Sequence, residues 1–484
     1  MCPKSSWPGT LARSLDPEAF TLRRLHGFLI VLTMALFVIP YKARAEAARE
    51  SVFPKGFLWG VAMAAIQNEE GLDHSAWRDF ERAGRTREAA GRATDTWRRY
   101  EEDIDLAAVS GANAFRMSLE WSRIEPRQGQ FDQAALARYA KVIDHCLARG
   151  MQPIVTLYHF SYPAWVDRVK LPYEPRKGRA TFYDPPLSIF PDGNSGKGWE
   201  RPGIVPAFGR YASVVARAMK GRNILWLTLN EANIEALNGY LLGIVPPGQV
   251  SPVSFARALN HMAEGHVLAY DALHAEIPDA RVSTNYFMFL RRNGKKTSVM
   301  VPIDDPTEKF GDALMAWKDE HGGAPRRTVD YIAFDYYYAA AFDELGKVTT
   351  QWKWPVHPEG MYDSAMQLHR RYGLPLLVAE NGMATHRGQP RPDGWTREAY
   401  LVNHVEALAR AVRDGAKVMG YCYWTLSDNW EIGTWAPTFG LYRLDANDPS
   451  LRRRPTPAVD IFRNLARTNG VPPELLARYL GKRS

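Results

Sequence analysis

From Phe53 onward, short runs of β-branched and aromatic residues alternate with longer stretches whose apolar positions recur every three to four residues. The short runs predict strands at Phe57–Ala64 (FLWGVAMA), Ala114–Leu119 (AFRMSL), Pro153–His159 (PIVTLYH) and Ile224–Leu229 (ILWLTL). Four more are predicted at Arg281–Met288, Tyr331–Tyr337, Pro375–Glu380 and Val418–Leu426. The longer stretches read as amphipathic helices. DQAALARYAKVIDHCLARG ends on Gly150, and SPVSFARALNHMAEGHVLAYDALHAE opens on a serine cap. Apolar runs without alternation suit strands buried on both faces, hence a parallel sheet covered by helices. Eight such units with no linker between them predict an α/β protein, a single (β/α)8 TIM barrel over residues 51–465. A Rossmann sheet would need G-x-G-x-x-G after its first strand, and none occurs there.

The architecture tells where chemistry belongs, because barrel active sites lie at the C-terminal ends of the strands. The polar residues at those ends are Gln67, Arg116, His159, Asn230–Glu231, Asn285, Asp335–Tyr337, Glu380–Asn381, and Trp424 with Glu431. Glu231 and Glu380 follow the fourth and seventh predicted strands. In a closed barrel these strand ends face one another across the mouth. Two opposed carboxylates are what glycoside hydrolysis requires, one to protonate the leaving oxygen and one to attack the anomeric carbon or activate water.

Composition adds constraints. The 484 residues include 46% hydrophobic and 12% aromatic residues, ample for a globular core; the 15 Trp and 22 Tyr suit sugar stacking as well as packing. The formal charge of +8 comes largely from scattered arginines, and Arg452–Arg454 is the one basic run, so a nucleic-acid partner is not expected. Residues 466–484 read as a basic C-terminal tail. At the other end, Lys4, Arg13, Arg23 and Arg24 precede the apolar segment Gly27–Ile39, followed by a small-x-small site at Ala43–Ala45. That is the order of a secretory signal, which places the protein outside the cytoplasm, periplasmic or extracellular. Left uncleaved, residues 27–39 would act as an anchor, although they fall short of the roughly 20 residues that span a bilayer. Cys146 and Cys422 sit in helix-like and strand-like segments and read as buried thiols. His261 and His266 lie on a predicted helix, and no H-E-x-x-H occurs, so neither metal nor cofactor is expected.

Eight motifs occur in order: FPKGFLWGVAMAAIQNEEG, FRMSLEWSRIEP, TLYHFSYP, TLNEANI, GYLLGIVPPG, VHPEGMY, VAENGMA and YWTLSDNWEIG. Together they resemble glycoside hydrolase family 1, the retaining β-glucosidase and β-galactosidase family. The resemblance implies an acid/base at Glu231, a nucleophile at Glu380, and Asn230 contacting the sugar 2-hydroxyl. It implies that Gln67, His159, Trp424 and Glu431 hold the non-reducing sugar and that Arg116 and Tyr337 flank the nucleophile. It further implies that Asn285 and Trp354 line the cleft and its aglycone side. The expected partner is a neutral β-glycoside, since a carboxylate at 431 would repel a 6-phosphate.

The chain departs from the family pattern at several positions. Ala232 stands for the usual Pro, Phe160 for Trp, Asp335 for Asn and Ile432 for Trp. Asp335 puts an extra acid beside the nucleophile, and Ile432 removes a stacking surface. Two alternatives to hydrolysis follow. One is transglycosylation on glycolipids at a membrane surface, because FRMSLEWSRI and YWTLSDNWEIG also resemble the galactolipid galactosyltransferase branch. The other is a non-catalytic sugar-binding barrel, against which the retention of both glutamates stands.

Overall fold

A computed structural model of the chain describes residues 51–169, 196–293, 296–299, 306–318 and 324–481. The apolar segment 27–39 and the candidate cleavage site lie outside the described residues. No helix among the described residues is long and apolar enough to cross a membrane.

Nine parallel segments form the main sheet: β1 (Leu58–Ala62), β2 (Ala114–Ser118), β3 (Gln152–Tyr158), β4 (Leu225–Leu229), β5 (Arg281–Ser283), β6 (Asn285–Phe287), β7 (Ile332–Asp335), β8 (Leu376–Asn381) and β9 (Val418–Trp424). Their spatial order is β5-β4-β3-β2-β1-β9-β8-β7-β6. The two end segments are halves of one predicted strand, 281–288, broken at Thr284. β5 pairs with β4 and β6 pairs with β7, so this one stretch carries both ends of the sheet and the barrel nearly closes on itself. Thr284 donates its hydroxyl to Leu229 O at 2.8 Å across the break. The apolar pattern marks burial on both faces, which the two halves share, so it could not reveal the change of partner.

One helix follows each strand unit: α1 (Thr96–Val109), α2 (Gln133–Ala148), α3 (Ile204–Met219), α4 (Pro252–Glu276), α5 (Pro306–Met315), α6 (Glu359–Tyr372), α7 (Arg397–Arg413) and α8 (Ala458–Thr468). Side-chain caps open α2, α4 and α7, so that backbone donors there do not go unpaired. Asp132 accepts from Ala135 N before α2, and Gly150 takes φ +72° just after it. Ser251 accepts from Ser254 N before α4, with Pro252 as the first helical residue.

The strand period of two sorts side chains into two apolar layers. Leu225 and Leu227 pack inside the barrel with Ala62, Ala114, Ile154, Ala333 and Leu377, while Trp226 between them packs outward among the helices. The interior is tight: a Cβ on Gly60 would lie 2.6 Å from Cys422 Sγ. Cys146 and Cys422 are both buried and unbridged.

The packed chain continues past Leu465. The helix Pro473–Tyr479 is tied to α7 by Asn403, whose Nδ2 donates to Tyr479 O at 2.9 Å and whose Oδ1 accepts from Gly481 N at 2.9 Å. The basic run is not a continuous surface patch either. Arg452 and Arg454 are exposed, but Arg453 is buried against Asp103. It alternates inward at the edge of a two-stranded ribbon in which Arg454–Pro455 pairs with Tyr442–Arg443.

Candidate active site

Alternation along β2 carries Arg116 into the barrel, on the same face as Ala114. The same alternation along β7 carries Asp335 inward with Ala333. Glu380 needs a further device, since Ala379 before it already faces inward. The ladder between β8 and β7 shifts register between Val378 and Glu380, which re-aims Glu380 to the same mouth. At the end of β4, Glu231 takes a left-handed conformation (φ +39°), turning the chain out of the strand into the short helix Ala232–Ala236. Phe160 (φ +57°) and Ile432 (φ +48°) are left-handed too, and for the β-branched Ile432 this is strained. Three such residues at one mouth are strain that surrounding packing must hold in place.

Arg116 is the hub. Its Nη1 donates to a Glu380 carboxylate oxygen and, at 3.2 Å, to Ala379 O. Its Nη2 donates to Asn230 Oδ1 at 2.5 Å. The Tyr337 hydroxyl donates to the other Glu380 oxygen at 2.5 Å. Asn285 donates to Asn230 Oδ1 at 2.8 Å and to Asp335 Oδ2. One oxygen from each of Glu231, Asp335 and Glu380 lies within 4.8 Å of the others. The two glutamates, 149 residues apart in sequence, therefore meet as the barrel predicts.

The electrostatics differ between the acids. Burial, then the negative charges of Asp335 and Glu380, push the Glu231 carboxyl well above the usual carboxylate range. Asp335 is pushed up by burial and by Glu380, against the pull of Arg116. Glu380 instead has a guanidinium and a phenol pointed at its two oxygens. His159 is held well below its usual range by burial and by Arg116, so it is a neutral imidazole; its ring stacks on Trp424 with centroids 5.8 Å apart.

A second polar group stands beside the hub. Glu431 accepts from Gln67 Nε2 at 2.9 Å, Trp424 Nε1 at 3.4 Å and Gln351 Nε2 at 3.2 Å. Burial, reinforced by Glu380, raises its carboxyl to about 8. Tyr337 and Trp354 pack together with centroids 5.3 Å apart, and the half-buried Trp354 indole donates to Val348 O at 2.8 Å.

The eleven residues to which the resemblance gives roles fall at or beside the mouth, whereas Asn381, also at a strand end, bonds to Tyr336 O and the Tyr400 and Tyr421 hydroxyls instead. Asn285 differs from its expected place: it is fully buried under the site, bridging Asn230 to Asp335, and does not line an open cleft. Gln351 was missed, because it sits in a short 3-10 turn (Gln351–Lys353) outside any motif. Asn429, which accepts from Gln67 at 3.2 Å, was missed within a quoted motif; the adjacent Glu431 drew the attention. Asp335 appeared as a strand-end polar residue and a departure from pattern with no role of its own, yet it stands within the cluster of three acids. His261 and His266 lie on α4 and bond elsewhere, to Trp199 O and to Thr228 and Thr328.

Comparison with known proteins places the chain among glycosidases. The profile of Glycosyl hydrolase family 1 matches residues 49–170, 181–296 and 318–471. A β-galactosidase of Pyrococcus woesei is 27% identical over 87% of this chain and 98% of its own length. An aryl-phospho-β-D-glucosidase of Bacillus subtilis is 24% identical over 86% of this chain and 98% of its own. Among solved structures, a β-glycosidase from Pyrococcus horikoshii superposes with a TM-score of 0.71 at 28% identity, covering 89% of this chain and 98% of that one.

Proposed function

This chain belongs to glycosyl hydrolase family 1 and is a glycosidase, and from that premise we propose that it hydrolyses neutral β-D-glycosides by double displacement through Glu231 and Glu380. The observation that carries the proposal is the pair of carboxyl groups with oxygens inside 4.8 Å and opposite surroundings. Oxygens this close leave no room for the water that an inverting enzyme holds between its second carboxylate and the anomeric carbon, and suit the short spacing of a retaining one.

In the first step Glu231 gives its proton to the glycosidic oxygen as the bond to the anomeric carbon breaks. The Glu380 carboxylate attacks that carbon from the other side and forms a glycosyl ester. In the second step the Glu231 carboxylate takes a proton from water, the hydroxide attacks the anomeric carbon, and Glu380 leaves as a carboxylate. The raised Glu231 serves the first step by keeping its proton at neutral pH. Asn230, whose Nδ2 is buried without a hydrogen-bond partner, would donate to the sugar 2-hydroxyl.

The neutral-sugar assignment rests on Glu431. Its partners are two amides and an indole, none of them cationic, so a 6-phosphate would meet a carboxyl and no counter-charge. The export read from residues 27–45 forms part of the same proposal. A panel of aryl β-glycosides with and without a 6-phosphate tests it, with proton NMR of the anomer first released. Turnover of a neutral β-glycoside with the β-anomer appearing first is expected. The α-anomer first, or turnover of phosphorylated substrates alone, overturns it.

A further inference from the structure

Asp335 has no task in the two steps above, yet it stands where they happen. It is fully buried, and Glu231 is 5% exposed. Asp335 Oδ2 accepts from Asn285, while its Oδ1 and Glu231 Oε1 both lack a hydrogen-bond donor among the described residues. The charged and titratable groups facing them among the described residues are Arg116, Tyr337, Tyr338, Cys422, His159 and Glu380, of which Tyr338 is a phenol raised above its usual range, chiefly by burial. Arg116 from β2 donates to Glu380, Ala379, Asn230 and Asn285 but to neither free oxygen, and Tyr337 donates to Glu380. Cys422 from β9 is a neutral thiol, pushed up to about 12 by burial. His159 after β3 is neutral. No cation among the described residues therefore hydrogen-bonds to the two free oxygens. Two ionised carboxylates this close in a desolvated cleft repel strongly, and a proton between them replaces that repulsion with a hydrogen bond.

Resting on the assignment of Glu231 as the acid/base, we propose that Asp335 is a positioning residue that shares a single proton with Glu231 across their two unpartnered oxygens. The charge balance through the cycle fits this. Before reaction the Glu231–Asp335 pair carries one negative charge, Glu380 another, and Arg116 one positive charge. When Glu380 becomes an ester its charge is gone. The pair can then release its proton to the leaving oxygen and carry two charges, with no change in the total. Water returns the proton to the pair as Glu380 is freed. Asp335 so keeps Glu231 in its acid form to higher pH, and the two groups titrate as a unit.

Asp335→Asn preserves shape and puts an amide donor against Glu231, which favours the ionised form. On a β-glycoside whose leaving group needs protonation, the basic limb of kcat/KM should move to lower pH by about one unit or more. A residue that merely supports the fold would lower kcat and leave the limb in place. Infrared difference spectra give a readout independent of turnover. Glu231→Gln and Asp335→Asn should each remove one protonated-carboxyl band present in the wild type above pH 7, and the double variant should remove no more. An unmoved basic limb overturns the proposal, as does a double variant that loses two protons. A wild type inactive on every β-glycoside defeats the hydrolytic assignment instead, and the infrared result alone then decides the pair.

Discussion

Arg453 and Arg116 are both buried arginines set against a buried carboxylate, Asp103 for the first and Glu380 for the second, and they are built differently. Arg453 donates to both Asp103 oxygens at 2.9 and 3.1 Å, to Thr94 O at 2.8 Å and to Leu451 O at 3.0 Å. Thr96 adds a further donor to Asp103 at 2.7 Å. No atom of that pair lacks a partner. Around Arg116 the opposite holds: its own Nε, Asn230 Nδ2, His159 Nδ1, Glu231 Oε1 and Asp335 Oδ1 are all buried without one among the described residues. Buried polar groups that fold a protein are satisfied within it; concentrated exceptions mark places where a ligand or a proton completes the network. The first pair is a clasp that joins the segment after β9 to α1, and the second belongs to a reaction site.

Three substitutions should separate these roles. The largest effect is expected from Glu380→Gly, which should cut turnover of an aryl β-glycoside at least ~10⁴-fold; Asp335 still stands beside the Arg116 guanidinium, so the thermal midpoint should fall less than in Arg453→Met. Azide should restore part of the rate by taking the place of the missing carboxylate. Arg453→Met should do the reverse. It leaves Asp103, already pushed up by burial, without its cation, and should cost about 3–5 kcal/mol of stability in denaturant titration. The folded fraction should keep its kcat. A large loss of kcat there, or of stability in Glu380→Gly, would erase the distinction.

The third effect is smaller and depends on pH. Glu235 is buried, accepts from the Tyr158 hydroxyl at 2.8 Å, and is raised by burial from 4.5 to about 8. Between those values the folded protein keeps a proton that the unfolded chain has released, so stability falls as pH rises and levels off above about 8. Glu235→Gln should remove a contribution on the order of a few kcal/mol to that fall. Thermal midpoints from pH 5 to 8 should therefore decline less in the variant. Parallel curves would show that Glu235 is not the group responsible.

The contrast also shows what the sequence could and could not reveal. The eight strands were legible because strands buried on both faces write themselves as continuous apolar runs, and the glutamates stood out as charges ending such runs. The break at Thr284 was not legible, since a strand that changes partner keeps the same burial. Nor was the register shift that aims Glu380, because a bulge leaves no mark on apolar patterning. The burial of Arg453 within its basic run was not legible either. Its partner is 350 positions away, and a charge census carries no information about such pairing. Asp335 was visible as an oddity, but only the unpartnered oxygens give it a role.

The central claim is that Glu380 attacks the sugar while Glu231 supplies the proton, and trapping the glycosyl ester tests it most directly. Incubation with an activated 2-deoxy-2-fluoro-β-glycoside, followed by proteolysis and mass spectrometry, should find one sugar per chain on the peptide that contains Glu380. A label on Glu231 or Asp335, or rapid turnover of the same reagents with no covalent adduct, would contradict the account.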